Sequence, residues 1–150
     1  MTTPVCYSGG CACGAIRYRC SAEPVMAFNC HCRDCQRASG SAFASILVVP
    51  TTAFEILTGE PAYHSVVADS GHTMQRGFCA QCGSPLLIRE PARPGIVLVQ
   101  AGGLDDPGRH QPAADIFQAR AHPWDYMNPD LPGYPTMPPL PDSPFFRTQH

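Results

Sequence analysis

The chain has 150 residues and no lysine, so all ten of its basic side chains are arginines. Charged residues make up only 15% of it, against about 25% in an average domain. The arginines form no basic stripe, and the formal net charge is −2. Because nucleic-acid affinity depends mainly on cationic side chains that neutralise phosphates, we predict no nucleic-acid partner.

Long apolar runs and an export signal are also missing from the sequence. The apolar stretches at 44–49 and 96–99 are too short to span a bilayer. The first ten residues lack the basic and apolar regions of a secretory signal. We therefore expect a soluble, cytoplasmic protein with no membrane partner. The length suits one domain, and a hydrophobic content of 44% is enough for an ordinary core.

Cysteine, in contrast, is abundant, with nine residues of this type. Seven of them form three groups: Cys11-x-Cys13, Cys30-x-Cys32-x-x-Cys35 and Cys79-x-x-Cys82. An odd number of thiols in a reducing compartment does not indicate a disulfide framework. Such clusters point to bound metal; the alternative is burial as small apolar side chains. For the isolated Cys6 and Cys20, burial is the favoured interpretation.

Short strand-like runs, separated by Gly, Pro, Ser or Asp, predict a mainly β fold. We expect helical turns only after Asp34, which would cap them, through Arg37. The strands are predicted near residues 15–20, 25–29, 43–49, 54–57, 62–67, 74–78, 85–89, 96–100 and 116–119.

Proline divides the chain, since ten of its 17 prolines lie between Pro107 and Pro144. We therefore predict a domain over 6–126, followed by a Pro-rich extension over 127–150. That extension is expected to pack on the surface or to be partly disordered. Trp124, near the boundary, is interpreted as a packing residue rather than a pocket lid. Asp105 and Asp106, before Pro107, are interpreted as turn residues.

Two cysteine groups share a feature, because Cys13 and Cys82 are each followed directly by glycine. Glycine there suits a tight turn with positive φ, which lets backbone N–H groups approach the sulfur. Together, the two groups that contain Cys13 and Cys82 supply four thiolates, which is the ligand set of a structural zinc ion. This pairing is favoured, though the spacings do not make it unique.

The third group, Cys30, Cys32 and Cys35, has three thiols and no following glycine. Three protein ligands with one open position are typical of a catalytic zinc ion. Three thiolates on Zn²⁺ leave a net charge of −1, which favours holding a further thiol as thiolate over making hydroxide. His31 should point away from the ligands, as an imidazole at the surface or behind them.

Five segments match a known family in order: 9–18, 29–40, 76–86, 101–107 and 122–124. With the cysteines in GGCACG, NCHCRDCQR and RGFCAQCG, the chain resembles the glutathione-dependent formaldehyde-activating enzymes, the GFA/CENP-V group. The resemblance implies an Mss4-like β-tent of folded antiparallel sheets with few short helices. It also implies two zinc ions per chain, a structural one on Cys11, Cys13, Cys79 and Cys82 and a catalytic one on Cys30, Cys32 and Cys35.

The activity implied by the resemblance is the reversible joining of glutathione and formaldehyde to S-(hydroxymethyl)glutathione, formally a carbon–sulfur lyase reaction. Arg33 and Arg37 are the candidates for binding the carboxylates of glutathione, with Arg17 as a third; exposed surface charge is the competing interpretation of each.

Two other functions stay open. The same site could act on another small thiol or electrophile, or the domain could be a non-catalytic zinc-stabilised module whose Pro-rich tail meets a protein partner. The sequence is compatible with a homo-oligomer but does not decide it.

Overall fold

The computed structural model describes residues 6–149, in which ten strands and one α-helix form a mainly β fold with two sheets. The predicted fold class is confirmed. The elements are β1 Tyr7–Gly10, β2 Arg17–Cys20, β3 Met26–Cys30, α1 Arg33–Ser39, β4 Ala44–Pro50, β5 Phe54–Thr58, β6 Ala62–Val67, β7 Thr73–Phe78, β8 Pro85–Arg89, β9 Ile96–Gln100 and β10 Asp115–Ile116.

The smaller sheet has the strand order β1-β2-β5, and the larger one the order β10-β3-β4-β9-β8-β7-β6. Neighbouring strands are antiparallel, except that β10 runs parallel to β3. The apolar run of β4 is buried on both faces of the larger sheet. Leu47 and Val49 belong to one hydrophobic cluster, while Ile46 and Val48 belong to the other. An uninterrupted apolar run is what a strand covered on both faces requires.

Helix α1 begins earlier than predicted, and its cap is a metal-ligand candidate. Cys32 is the N-cap, since its Sγ accepts a hydrogen bond from the backbone N–H of Cys35 at 3.3 Å. The prediction that Asp34 caps the helix is therefore wrong. Asp34 lies in the first turn, where a carboxylate interacts favourably with the helix dipole. Gly40, with φ of 66°, ends the helix.

Two strands also differ from the prediction. Strand β10 has only two residues instead of the four expected over 116–119, because Phe117 takes a left-handed conformation with φ of 54°. Strand β1 was not predicted, since half of its four residues are glycines. No helix within residues 6–149 has the length and apolar character needed to cross a bilayer.

The C-terminal segment from residue 127 to 149 lies against β10 and the second hydrophobic cluster. The backbone N–H of Tyr134 donates to the carbonyl of Asp115, and the N–H of Asp115 donates to that of Pro132, both at 2.9 Å. Phe146 is buried in the cluster, with Leu140 packed against it. Whether 6–126 and 127–150 are separate units stays a prediction.

Candidate metal centres and the adjoining cavity

The first cysteine group joins two hairpin turns that are far apart in sequence. Cys11 and Cys13 lie between β1 and β2, while Cys79 and Cys82 lie between β7 and β8. Their four Sγ atoms all lie within 4.8 Å of one another. The structure thus brings together the four predicted ligands, and a set of four thiolates fits a structural zinc ion.

The turns around these cysteines have the geometry expected from the sequence. Gly14 and Gly83 both have φ of 80°, as their positions after Cys13 and Cys82 predict. The backbone N–H of Ile16 donates to the Sγ of Cys11 at 3.2 Å. Such N–H groups stabilise thiolates, so the turns prepare the sulfur atoms for a cation.

Ser84 links the two halves of this centre. Its hydroxyl lies 3.2 Å from the Sγ of Cys82 and accepts a hydrogen bond from the backbone N–H of Ala12 at 3.0 Å. The hydrogen bond from Ser84 lowers the pKa of Cys82 to about 5, with backbone N–H groups adding to the effect. The surroundings of Cys82 thus favour its thiolate form, which is the form that binds a metal cation.

The second cysteine group, which we call the triad, comprises Cys30 at the end of β3 and Cys32 and Cys35 at the start of α1. The three Sγ atoms also lie within 4.8 Å of one another, and Cys30 and Cys35 are buried. Hydrogen bonds from the Cys30 and Cys35 thiols lower the pKa of Cys32 to about 2. The hydrogen bond with Cys32 raises the pKa of Cys30. Three converging sulfur donors fit a zinc ion with three protein ligands.

His31 lies outside the triad, as predicted, and of its two expected positions the structure shows the one behind the cysteines and not the one at the surface. Its side chain is only 1% exposed. Nε2 lies 2.9 Å from Oδ1 of Asp115, and Nδ1 lies 3.5 Å from Oδ2 of Asp125. The imidazole thus connects the peptide between two ligand cysteines to β10 and to the segment after it. No local sequence pattern could reveal these distant partners.

A cavity of about 410 Å³ lies beside the triad on one face of the larger sheet. Successive strands from β10 to β7 contribute its floor, and α1, the 68–72 turn and the segment after β10 contribute its rim. A volume of this size is within the usual range for small-molecule sites. The lining residues are Phe28, Cys30, Cys32, Asp34, Cys35, Ile46, Ala68, Asp69, Ser70, His72, Met74, Arg76, Ile88, Glu90, Arg93, Leu98, Ile116, Phe117 and Met137.

Four polar side chains in this cavity were missed by the sequence analysis. The buried carboxylate of Glu90 accepts a hydrogen bond from Arg93 at 2.7 Å and contacts Nδ1 of His72. Arg76 directs one N–H group toward the Sγ of Cys35 at 3.7 Å. The period-two pattern of β7 places Met74 and Arg76 on one face, which is the signal that could have identified Arg76.

The predicted carboxylate-binding arginines lie elsewhere. Arg33 and Arg37 line a separate cleft of about 570 Å³ with His122 and Trp124. Trp124 is 71% exposed and stacks on His122 at 5.0 Å, so the prediction that it fills the core is wrong. The glutathione-binding role of Arg33 and Arg37 stays a prediction.

The third arginine candidate, Arg17, is occupied by a carboxylate of the protein itself. Its guanidinium donates to both carboxylate oxygens of Asp105, at 2.9 and 2.5 Å. This hydrogen bonding lowers the pKa of Asp105 to about 2. Asp105 is therefore an ion-pair partner and not only a turn residue.

The comparison with family models decides what this cysteine arrangement represents. The model of the glutathione-dependent formaldehyde-activating enzymes matches residues 6–120, which include both cysteine groups. The chain belongs to this family. A Penicillium rubens protein carrying the family's name is 32% identical over 134 residues, covering 77% of this chain and 69% of that protein. A Halomonas elongata protein of the same name is 27% identical over 101 residues.

The coverage of these relatives is partial. The Halomonas alignment includes 65% of this chain and 64% of the relative, so the chain spans less than two thirds of that protein's length. Among solved structures, that of a Rhodobacter sphaeroides protein matches 85% of this chain and 98% of its own, with a TM-score of 0.55. At 16% identity, this likeness concerns the fold alone.

Proposed function

We propose that this protein joins a thiol to an aldehyde, with glutathione and formaldehyde giving S-(hydroxymethyl)glutathione as the first instance to test. The observation that carries the proposal is the triad at the wall of a 410 Å³ cavity. Membership of the formaldehyde-activating family supports the choice of the two substrates. The reverse reaction, which splits the adduct, makes the activity formally that of a carbon–sulfur lyase.

We assign one zinc ion to each cysteine group. Cys11, Cys13, Cys79 and Cys82 would hold the structural ion, and Cys30, Cys32 and Cys35 would hold the other. The chemistry that zinc supplies at the triad is to keep a thiol deprotonated at neutral pH. Because three thiolates already reduce the charge of that centre to −1, thiol chemistry is favoured over hydrolysis.

The proposed addition needs no oxidant or reductant. A lone pair of the thiol sulfur forms the C–S bond, and the π electrons of the carbonyl move to its oxygen. That oxygen takes one proton, which balances the proton lost by the thiol. The apolar side chains of Met74, Phe117 and Met137 reduce the access of water to this reaction.

His72 is the group we assign to proton transfer. Its side chain is 31% exposed, so it can exchange protons with solvent at the rim of the cavity. Its Nδ1 contacts the buried carboxylate of Glu90, which fixes the orientation of the imidazole. With Nδ1 directed at Glu90, Nε2 is the atom that accepts the proton lost by the thiol and passes it to the carbonyl oxygen.

The test of the proposed function is the variant Cys32→Ser, with Cys6→Ser as the control outside both cysteine groups. We expect about two zinc ions per chain in the wild type and the control, and about one in Cys32→Ser. Formation of S-(hydroxymethyl)glutathione, followed by NMR, should fall at least about 100-fold in Cys32→Ser only, because the loss of an essential catalytic group typically costs that much. Unchanged turnover of every thiol–aldehyde pair in Cys32→Ser would refute a catalytic role for the three cysteines of the triad.

A non-catalytic binding module is the second candidate. The observation that favours it is the exposure of Trp124 and Tyr126, at 71% and 89%, beside the separate cleft. Exposed aromatic side chains are common at protein–protein contacts. Partner binding that is lost in Trp124→Ala while Cys32→Ser retains it would favour this function. A homo-oligomeric state and a cytoplasmic location stay predictions.

A further inference from the structure

Arg76 is a buried cation whose hydrogen-bonding capacity is mostly unused. One of its terminal nitrogens lies 3.7 Å from the Sγ of Cys35, while Nε and the other terminal nitrogen are buried and have no hydrogen-bond partner in residues 6–149. Buried N–H donors are rarely left unpaired in folded proteins, and an unpaired one calls for a partner that the chain itself does not supply. Arg76 lines the cavity, so a ligand there can reach it.

The other basic side chains at this cavity already have a carboxylate partner. Arg93 donates to Glu90 at 2.7 Å, and His72 contacts the same carboxylate. Among the described residues that line the cavity, Arg76 is the cation left without a carboxylate. Arg76 is therefore the position at which a negative group of a ligand would meet unpaired N–H donors of a cation.

A role confined to neutralising the cysteines does not account for this arrangement. The contact with Cys35 uses only one of the five N–H donors of the guanidinium. The remaining donors are pre-oriented by β7, where Arg76 is paired with His64 on one side and Ile88 on the other. A rigid guanidinium of this kind matches the geometry of a carboxylate.

We propose that Arg76 binds a carboxylate of the thiol substrate, so that the cavity selects acidic thiols over neutral ones. The inference rests on the proposed function, because it takes the sulfur of the ligand to be held at the triad. Since Arg76 lies 3.7 Å from the Sγ of Cys35, the carboxylate that it binds lies close in space to the sulfur of the same ligand. The class of ligand is therefore a small thiol with a nearby carboxylate.

The test compares two thiols of the same size, 3-mercaptopropionate and 3-mercaptopropionamide, by calorimetric titration of the zinc-loaded chain. We expect the wild type to bind the acid about ten- to hundredfold more tightly, since a charge-assisted hydrogen bond contributes about that factor. Arg76→Gln should lose this preference, while Arg19→Gln, at an arginine of β2 that pairs with Glu55 away from both cavities, should keep it. Circular dichroism and zinc content establish that the variants are folded and loaded.

Equal affinities for the two thiols in the wild type, or a preference that survives in Arg76→Gln, would overturn the inference. If Arg76→Gln does not fold, Arg76→Lys replaces it; the preference should then fall without vanishing, because lysine keeps the charge but not the planar fork. Binding of neither thiol, together with no binding of glutathione, would refute the proposed function. Propionate and propionamide lack the sulfur, so they test carboxylate binding at Arg76 without the triad. Equal binding of these two compounds would overturn the assignment of Arg76 as well.

Discussion

Gly83 has a left-handed backbone conformation and directly follows Cys82, a proposed zinc ligand. Its φ is 80°, and a Cβ atom added there would meet nothing within 4 Å. Gly83→Ala should therefore cost only backbone strain, about 1–2 kcal/mol of unfolding free energy measured in urea. Gly102 is the matched control, since it has equal space without a positive φ. Equal effects of Gly83→Ala and Gly102→Ala would contradict the strain argument.

Gln36 is a residue whose role depends wholly on tertiary contacts. It is 6% exposed, and its amide donates to the backbone carbonyls of His31 and Arg120 at 2.7 and 3.1 Å. Its side-chain oxygen lies 2.9 Å from Nε2 of His122. These contacts hold the peptide next to Cys30 and Cys32 against the segment that follows β10.

Gln36→Ala should accordingly lower the free energy of unfolding by about 2–3 kcal/mol, because it leaves buried carbonyl groups unpaired. Urea titration of the zinc-loaded protein measures this change. Arg37→Ala, exposed on the same helix, should change stability by less than about 0.5 kcal/mol. A Gln36→Ala variant as stable as Arg37→Ala would mean that these hydrogen bonds are replaced by water.

The four-cysteine centre connects two elements, the β1–β2 hairpin of the smaller sheet and the β7–β8 hairpin of the larger sheet. Cys79→Ser removes a proposed zinc ligand that is 2% exposed. We expect the loss of one zinc ion and of amide protection in β1 and β2, with protection in β3 and β4 retained, because metal binding supplies folding free energy locally. Hydrogen exchange read by mass spectrometry measures this. Uniform loss of protection across both sheets would contradict a local role.

The elements were predictable from sequence wherever the pattern itself decides the structure. The apolar run of β4 and the glycines after Cys13 and Cys82 belong to this class. Strand β10 was overestimated because Phe117, an apolar residue, takes a left-handed conformation that only tertiary packing can impose. The cavity was not predictable, since its floor combines side chains from six strands whose order in the sheet differs from their order in the chain.

In the molecule as a whole, the C-terminal segment is the part whose contribution to the hydrophobic core is least evident from its amino-acid composition. Proline-rich stretches usually lie at the surface, yet Phe146 is 8% exposed and belongs to the second hydrophobic cluster. That cluster includes Ile46, Ile88 and Leu98, which also line the cavity beside the triad. The end of the chain therefore supports the sheet face on which we place the chemistry.

Phe146→Ala should destabilise the protein by about 3 kcal/mol, as truncation of a buried phenylalanine usually does. Tyr126→Ala, at a side chain that is 89% exposed, should change stability by less than about 0.5 kcal/mol. Thermal and urea unfolding of the two zinc-loaded variants provide the comparison. Because Phe146 belongs to the cluster whose Ile46, Ile88 and Leu98 line the cavity, we also expect its removal to weaken thiol binding without loss of zinc. If Phe146→Ala matches the wild type in stability and thiol affinity, Phe146 only covers the surface and does not support the cavity.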